Sequence, residues 1–177
     1  MKKISIAGGC YNEAENLEEF YQRCLAVLKR FPEYDYEFVV ADNCSTDGSR
    51  DVLRAIALRD RKFKVIFNSN NFGHIRSPFH ALLSTTGDAV ISLCTDLQEP
   101  PELLETFIRK WEEGYKVVCG VRSGTRANPF LEALRKLYYK ILGTAAPGET
   151  IIPRFTGFGL YDRVFIDALR KFHDPYP

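Results

Sequence analysis

From the N-terminus to about residue 121, short and mostly apolar runs alternate with longer amphipathic ones. That alternation constrains the fold more than any other feature of the chain. Lys3–Gly8, Tyr36–Ala41, Phe63–Asn68, Ala89–Cys94 and Lys116–Val121 read as strands. Several are apolar at successive positions rather than at every second one, so both of their faces must be covered. Between them, residues 14–30 place Leu17, Phe20, Tyr21, Cys24, Leu25 and Leu28 at helical spacing. A second helix is expected over 47–59, capped by Ser45, Thr46 or Asp47. Asn70-Asn71-Phe72-Gly73 reads as a turn. A third helix is expected to open at Pro78 and end at Gly87, and a fourth to span Pro101 to Glu113. The expected fold class is α/β: a single domain with a mostly parallel central sheet, helices on both faces and right-handed crossovers.

The chain has 177 residues, enough for one domain with a real core. Its net charge of +1 gives no general attraction to nucleic acid. No apolar run approaches the roughly 18 residues of a spanning helix. The five cysteines are odd in number and show no C-x-x-C pair, which points to free thiols in a reducing, cytoplasmic setting. Cys10, Cys44 and Cys94 all fall near strand ends. They are read as small core residues, with a soft-metal or redox cluster as the alternative.

After Arg122 the pattern changes. A helix is expected over 128–142, with Phe130, Leu134, Leu137, Tyr138 and Ile141 on one face. That face suits core packing, and its flanking cations would also suit peripheral membrane contact. A loop over 143–153, a late strand Phe155 to Tyr161 and a short final helix capped by Asp162 follow. Arg163 reads as one half of a surface or helix-end pair with Asp162. The closing His173-Asp174-Pro175-Tyr176-Pro177 suggests a domain cut from a longer protein.

Chemistry-bearing residues gather at or just beyond the strand ends, where open α/β sheets bind ligands. They are Tyr11, Asn12 and Glu13 after strand one, Asp42 and Asn43 with Cys44 to Ser49 after strand two, Asp96 and Gln98 after strand four, and Arg122 with Arg126 after strand five. In an extended segment Asp96 and Gln98 would point the same way. Two oxygen donors on one side suit Mg2+ or Mn2+, which keep water and borrow phosphate oxygens. The plainer alternative is a helix start, with acidic residues before Pro100-Pro101. The inventory of ring, amides, carboxylates, cation site and arginines suits a nucleotide diphosphate.

Six segments in order, taken together, resemble family 2 glycosyltransferases of the GT-A fold, in the branch of polyprenyl- or dolichol-phosphate sugar synthases. They are Tyr11-Asn12-Glu13, Asp42 to Asp47, Asn71-Phe72-Gly73-His74, Asp96 to Glu102, Gly120-Val121-Arg122 and Phe158 to Arg163. The resemblance covers nearly the whole chain, as a catalytic domain over 1–177. It implies a nucleotide-sugar-binding part over about 1–122 and an acceptor-side part over about 123–177. It also implies an inverting transfer of a sugar from a UDP-sugar or GDP-sugar to a lipid-phosphate or saccharide acceptor, in the cytoplasm or at the cytoplasmic face of a membrane. Tyr11, Glu13, Asp42 and Asn43 would hold base and ribose, with His74 nearby. Thr95, Asp96 and Gln98 would hold the diphosphate and its divalent ion. Asp96, Arg122 and Arg126 would act at the leaving group. Self-association is compatible with the sequence.

Four positions depart from the family pattern. Asn43 replaces the second of two aspartates, Cys94 the first carboxylate of Asp-x-Asp, and Thr156-Gly157 a loop aspartate. Gly9 stands where proline is preferred, which should loosen the first loop. An anionic lipid phosphate needs no general base, whereas a sugar hydroxyl does; the missing loop aspartate therefore favours a polyprenyl phosphate as acceptor. The lost carboxylates also admit a second reading, a nucleotide-sugar-binding scaffold with weak or absent catalysis. A nucleotidyltransferase is disfavoured because the loop after strand one carries Glu13 and Glu15 rather than a basic glycine-rich stretch, and a dehydrogenase because G-x-G-x-x-G is absent.

Overall fold

The computed structural model describes residues 1–121 and 155–172. The chain divides into two compact units, residues 1–118 with 158–177, and residues 119–157. Only the strand ends at 119–121 and 155–157 are described in the second unit. Arg122, Arg126, His173, the expected helix at 128–142 and the loop at 143–153 lie outside the described residues.

In chain order the elements are β1 (Lys3–Cys10), α1 (Leu17–Leu28), β2 (Asp35–Asp42), α2 (Ser49–Arg59), β3 (Phe63–Phe67), α3 (Gly73–Leu83), β4 (Ala89–Ser92), α4 (Leu103–Glu112), β5 (Val117–Val121), β6 (Phe155–Asp162) and α5 (Arg163–Leu169). The sheet order is β3-β2-β1-β4-β6-β5. β1 runs parallel to β2 and β4, and β2 parallel to β3; β6 lies antiparallel to β4. The expected mostly parallel α/β sheet is therefore present. Strand order reverses around β1 and β4, and such a switch point opens a crevice at the carboxyl ends of the strands.

The two faces of the sheet differ in bulk. On one, Ile4, Ile6, Phe38, Val40 and Ile91 pack against Leu17, Phe20 and Cys24 of α1, Leu53 and Ile56 of α2, and Leu104 and Ile108 of α4. Tyr21, Phe38 and Phe63 form a ring cluster there with centroids 5.4 to 5.6 Å apart. Burying each such side chain contributes about 1.5–3 kcal/mol before conformational entropy is counted. The other face carries smaller residues, Val39 and Ala41, against Ala81 of α3. Small side chains let α3 approach closely. A Cβ on Gly9 would lie 2.6 Å from Pro78 Cγ. Gly9 is thus a β1 residue in register with Ala41, and its missing side chain makes room for α3. The expectation that glycine here loosens the first loop is corrected.

Two helix starts differ from expectation. α1 begins at Leu17, not Ala14, because residues 13–16 form a turn in which the Glu13 carbonyl accepts from Asn16 N–H and Leu17 N–H. α3 begins at Gly73, five residues before Pro78, which sits inside the helix. Pro78 has no N–H to offer the carbonyl four residues back, at His74. Local sequence rules favour proline as a helix opener; here contacts from β2 fix the start instead, as described below.

Away from the carboxyl edge, the buried Glu37 accepts from Ser5 Oγ (2.7 Å), Thr86 N–H (2.6 Å), Thr86 Oγ1 (2.9 Å) and Lys64 Nζ (2.6 Å). Burial pushes its pKa up, but these donors outweigh burial and hold it at about 2. Asp162 caps α5 through Val164 N–H (3.1 Å), as expected, and also accepts from Trp111 Nε1 (2.8 Å). Arg163 does not pair with Asp162. Its Nε donates to the Gly87 carbonyl (2.7 Å), while Arg170 Nη2 donates to the Leu83 (2.7 Å) and Thr85 (2.9 Å) carbonyls. The final helix thereby holds the turn that ends α3.

Candidate active site

The loops after β1 and β2 are joined by side chain–backbone bonds. Asn12 N–H donates to Ser45 Oγ (3.0 Å), Glu13 N–H to Ser49 Oγ (2.8 Å), and Ala14 N–H to Asp47 Oδ2 (3.2 Å). In return Thr46 N–H donates to Asn12 Oδ1 (2.9 Å) and Asn43 N–H to the Cys10 carbonyl (2.8 Å). Asn12 and Cys44 hold φ of 55° and 65°, a left-handed region that asparagine tolerates through its short polar side chain. Asp47 fulfils part of its expected capping role by accepting Ser49 N–H at 2.9 Å, although the residue in the cap position itself is Gly48.

Asp42 and Asn43 are both buried. Asp42 Oδ2 receives Arg50 Nε at 2.6 Å, and Ser45 N–H lies 3.3 Å from each of its oxygens. Arg50 also donates to the Asn68 carbonyl at 2.7 Å. The Asp42 carboxylate thus lies beneath the loop with its charge met by a guanidinium. Asn43 directs its amide at the 71–73 turn, donating to Asn71 Oδ1 (2.8 Å) and accepting from Phe72 N–H (2.8 Å).

After β4 the chain turns sooner than expected. The strand ends at Ser92, and Leu97 has φ 58°. Asp96 Oδ1 accepts Gln98 N–H at 3.1 Å, closing a local turn. The segment is therefore not extended, and the alternation that would have aimed Asp96 and Gln98 the same way does not operate. Thr95 is buried and its hydroxyl donates to the Gly9 carbonyl at 3.0 Å, pinning this turn to β1.

These loops and the start of α3 surround one open cleft, lined by Tyr11, Glu13, Asn43, His74, Thr95 and Asp96, with Gly9, Cys10, Gly73, Ser77, Pro78 and Cys94. Its volume, about 130 Å³, is below the roughly 300–1,000 Å³ of pockets that engulf a small molecule. It can hold one part of an extended ligand. Tyr11 is 47% exposed, which rules out the alternative that it packs in the core. Gln98 is exposed and does not line the cleft.

The family model for glycosyl transferase family 2 matches residues 5–170. The chain belongs to glycosyl transferase family 2. It is 34% identical over 177 residues to the uncharacterized glycosyltransferase YkcC of Bacillus subtilis (strain 168), spanning 99% of this chain and 54% of that protein. It is 32% identical over 171 residues to an undecaprenyl-phosphate 4-deoxy-4-formamido-L-arabinose transferase of Pseudomonas fluorescens (strain Pf0-1), spanning 94% of this chain and 48% of that protein. The chain thus spans about half the length of the curated relatives it matches. The fold is shared with the mannosyltransferase PcManGT from Pyrobaculum calidifontis, solved with GDP-Man and Mn2+ (TM-score 0.60, 19% identity, 95% of this chain and 46% of that one). It is shared equally with S. aureus TarS 1-349, solved with UDP-GlcNAc (TM-score 0.61, 19% identity, 97% and 48%).

Within this family 2 fold, the residues present fit a divalent ion in one way. Among the described residues, no three His, Cys, Asp or Glu side chains converge to hold a metal. Burial pushes the Cys10 thiol up to about 11, with the Asp42 charge adding to the effect, so the metal-free thiol is protonated at neutral pH. Asp96 remains as a hard oxygen donor on the cleft, which suits Mg2+ or Mn2+ ligated mainly by water and by the phosphates of a bound nucleotide.

Sequence reasoning missed Arg50 and Asn68, which fix the loops without lining the cleft, and Ser77, which lines it; it placed Ser45 and Ser49 in the loop after strand two without their bonds to the first loop, and Pro78 at a helix start rather than on the cleft. The spacing of the serines gives no signal, since their partners lie more than thirty residues away.

Proposed function

We propose that this chain is the donor-binding, catalytic part of an inverting glycosyltransferase that moves a sugar from a UDP-sugar or GDP-sugar to a polyprenyl phosphate. The observation that carries this reading is that Tyr11, Glu13, His74 and Asp96 open onto one cleft at the carboxyl edge of a parallel sheet, in a chain of glycosyl transferase family 2. Three named likenesses support the substrate classes: the Pseudomonas relative is named for an undecaprenyl-phosphate acceptor, and the two solved structures hold GDP-Man and UDP-GlcNAc.

In this reading the exposed Tyr11 ring stacks on the base, and Glu13 accepts from ribose hydroxyls. Asp42 supports the loop from below through Arg50. Asp96 holds Mg2+ or Mn2+ against the diphosphate, on a turn fixed by Thr95. That ion, when bound, neutralises charge on the departing diphosphate. Arg122 and Arg126 are assigned to the same leaving group or to the acceptor phosphate. Charges placed where negative charge develops stabilise the transition state more than the ground state. The acceptor oxygen attacks the face opposite the diphosphate, and positioning supplies much of the rate. Residues 123–177 are assigned to the acceptor side. Among the described residues no helix is long and apolar enough to cross a membrane; a lipid acceptor would be met at the cytoplasmic face.

One observation favours a second reading. Cys94 brings a thiol to the cleft where the family pattern has a carboxylate, which suits a scaffold that binds nucleotide sugars without turnover. The test is calorimetric titration with UDP- and GDP-sugars, with and without Mn2+, followed by assay of released nucleotide with added polyprenyl phosphate. Metal-strengthened binding with lipid-dependent release supports the transferase. Binding without release in any arm supports the scaffold, and failure to bind any sugar nucleotide defeats both.

A further inference from the structure

Asn43 lines the cleft, yet its amide has nothing left over for a ligand. Nδ2 donates to Asn71 Oδ1 (2.8 Å) and to the Gly73 carbonyl (3.2 Å). Oδ1 accepts from Phe72 N–H (2.8 Å) and Asn68 Nδ2 (3.4 Å). A carboxamide offers two N–H donors and accepts about two bonds at oxygen, so all four places are filled. The orientation of the amide follows from its backbone partners: Phe72 N–H can only donate, and the Gly73 carbonyl can only accept. Asn71 Oδ1 accepts Gly73 N–H as well (2.8 Å), and Asn68 Nδ2 also donates to Ser77 Oγ (3.0 Å). Three asparagines therefore tie the end of β2 to the end of β3 and to the start of α3.

We propose that Asn43 is a positioning residue. It fixes the 71–73 turn, and with it His74 and the first turn of α3, against the donor cleft, and it does not read the donor itself. This rests on the nucleotide-sugar reading of the cleft. It also accounts for the departure from the family's paired aspartates. A carboxylate at position 43 would keep the bonds from Phe72 and Asn68 but would set an unprotonated oxygen against Asn71 Oδ1 and the Gly73 carbonyl. The cost of a buried acceptor facing two acceptors exceeds that of an ordinary lost bond. Asparagine is the residue that donates and accepts at that spot.

The test is a double-mutant cycle with Asn43→Ala, Asn71→Ala and the double variant, plus Asn43→Asp. UDP and GDP affinities are measured by calorimetry, and amide exchange at Phe72 and Gly73 is followed by NMR in the ligand-free protein. If Asn43 acts through the turn, each single alanine variant raises the nucleotide Kd about tenfold. The double variant then stays within about twofold of the weaker single, because both remove the same device. The UDP-to-GDP preference is unchanged, and Phe72 exchange accelerates in Asn43→Ala. Asn43→Asp behaves like Asn43→Ala or worse. Multiplying effects in the double variant, or a changed UDP-to-GDP preference in Asn43→Ala, would show that Asn43 touches the base and overturn the proposal. Unchanged exchange at Phe72 in Asn43→Ala overturns it as well. Should Asn43→Ala not fold, Asn71→Ala at an exposed position and Asn43→Ser carry the same comparison. If the unaltered protein binds neither nucleotide, the donor reading fails, while the exchange data still decide whether Asn43 holds the turn.

Discussion

Gly9 at the end of β1 and Pro78 in the middle of α3 touch with no side chain between them: a Cβ at position 9 would come within 2.6 Å of Pro78 Cγ and 3.2 Å of its Cδ. Both residues line the candidate donor cleft, so this contact sets how near α3 stands to the sheet at the site. A pyrrolidine ring cannot swing aside as a long side chain can. Gly9→Ala should therefore destabilise the protein by about 1–3 kcal/mol through overpacking, read as a lower urea midpoint at unchanged slope. Adding Pro78→Ala should recover part of the loss, since it removes the ring and restores an N–H for the His74 carbonyl. No recovery would mean that the contact is not the cause.

Asp96→Asn preserves shape and removes charge. If Asp96 holds the ion, nucleotide affinity without metal should be unchanged, while the gain on adding Mn2+ should fall by about tenfold or more. Calorimetry with UDP and GDP at fixed Mn2+ measures both. An equal loss with and without metal would place Asp96 on the nucleotide directly.

Glu37 links folding stability to pH. Its carboxyl is held at about 2 in the folded chain, against an ordinary value of 4.5. The unfolded chain therefore binds more protons between those values. The contribution is complete above about pH 4.5 and is lost as pH falls toward about 2. Glu37→Gln should cost on the order of 2–3 kcal/mol at pH 7 and much less at pH 3. Urea titrations at the two pH values check the difference, and equal costs would refute it.

Cys94 is exposed on the cleft, whereas Cys10 is buried behind it with its thiol pushed up to about 11. Iodoacetamide should modify Cys94 much faster than Cys10, and saturating UDP or GDP with Mn2+ should slow the reaction at Cys94 several-fold. Mass spectrometry of the peptides reads each site. Labelling of Cys94 unaffected by the nucleotide that binds best would place the ligand elsewhere.

Much of this was legible in the sequence, for identifiable reasons. The apolar runs at 36–41 and 89–94 demand cover on both faces, and helices supply it. The spacing from Leu17 to Leu28 commits those residues to one helix with one buried face. Tyr11, Glu13 and Asp96 reach the cleft because strand ends in an open parallel sheet converge on one edge whatever the side chains are. Asp162 caps its helix because a short acceptor next to a free amide works locally.

What tertiary structure alone decided is how the loops between those strands are held. The Arg50 guanidinium against Asp42 and the four partners of the Asn43 amide come together only in the folded chain. Pro78 looked like a helix start, yet α3 begins earlier, where the 71–73 turn is bonded to Asn43 just after β2. Chain order fixes which side chains can reach the site, since propensity and hydrophobic period act over a few residues. Which polar atoms stay available to a ligand depends on partners outside the local segment, eight positions away for Asp42 and 25 to 30 for Asn43, and only the folded chain brings those within hydrogen-bond distance.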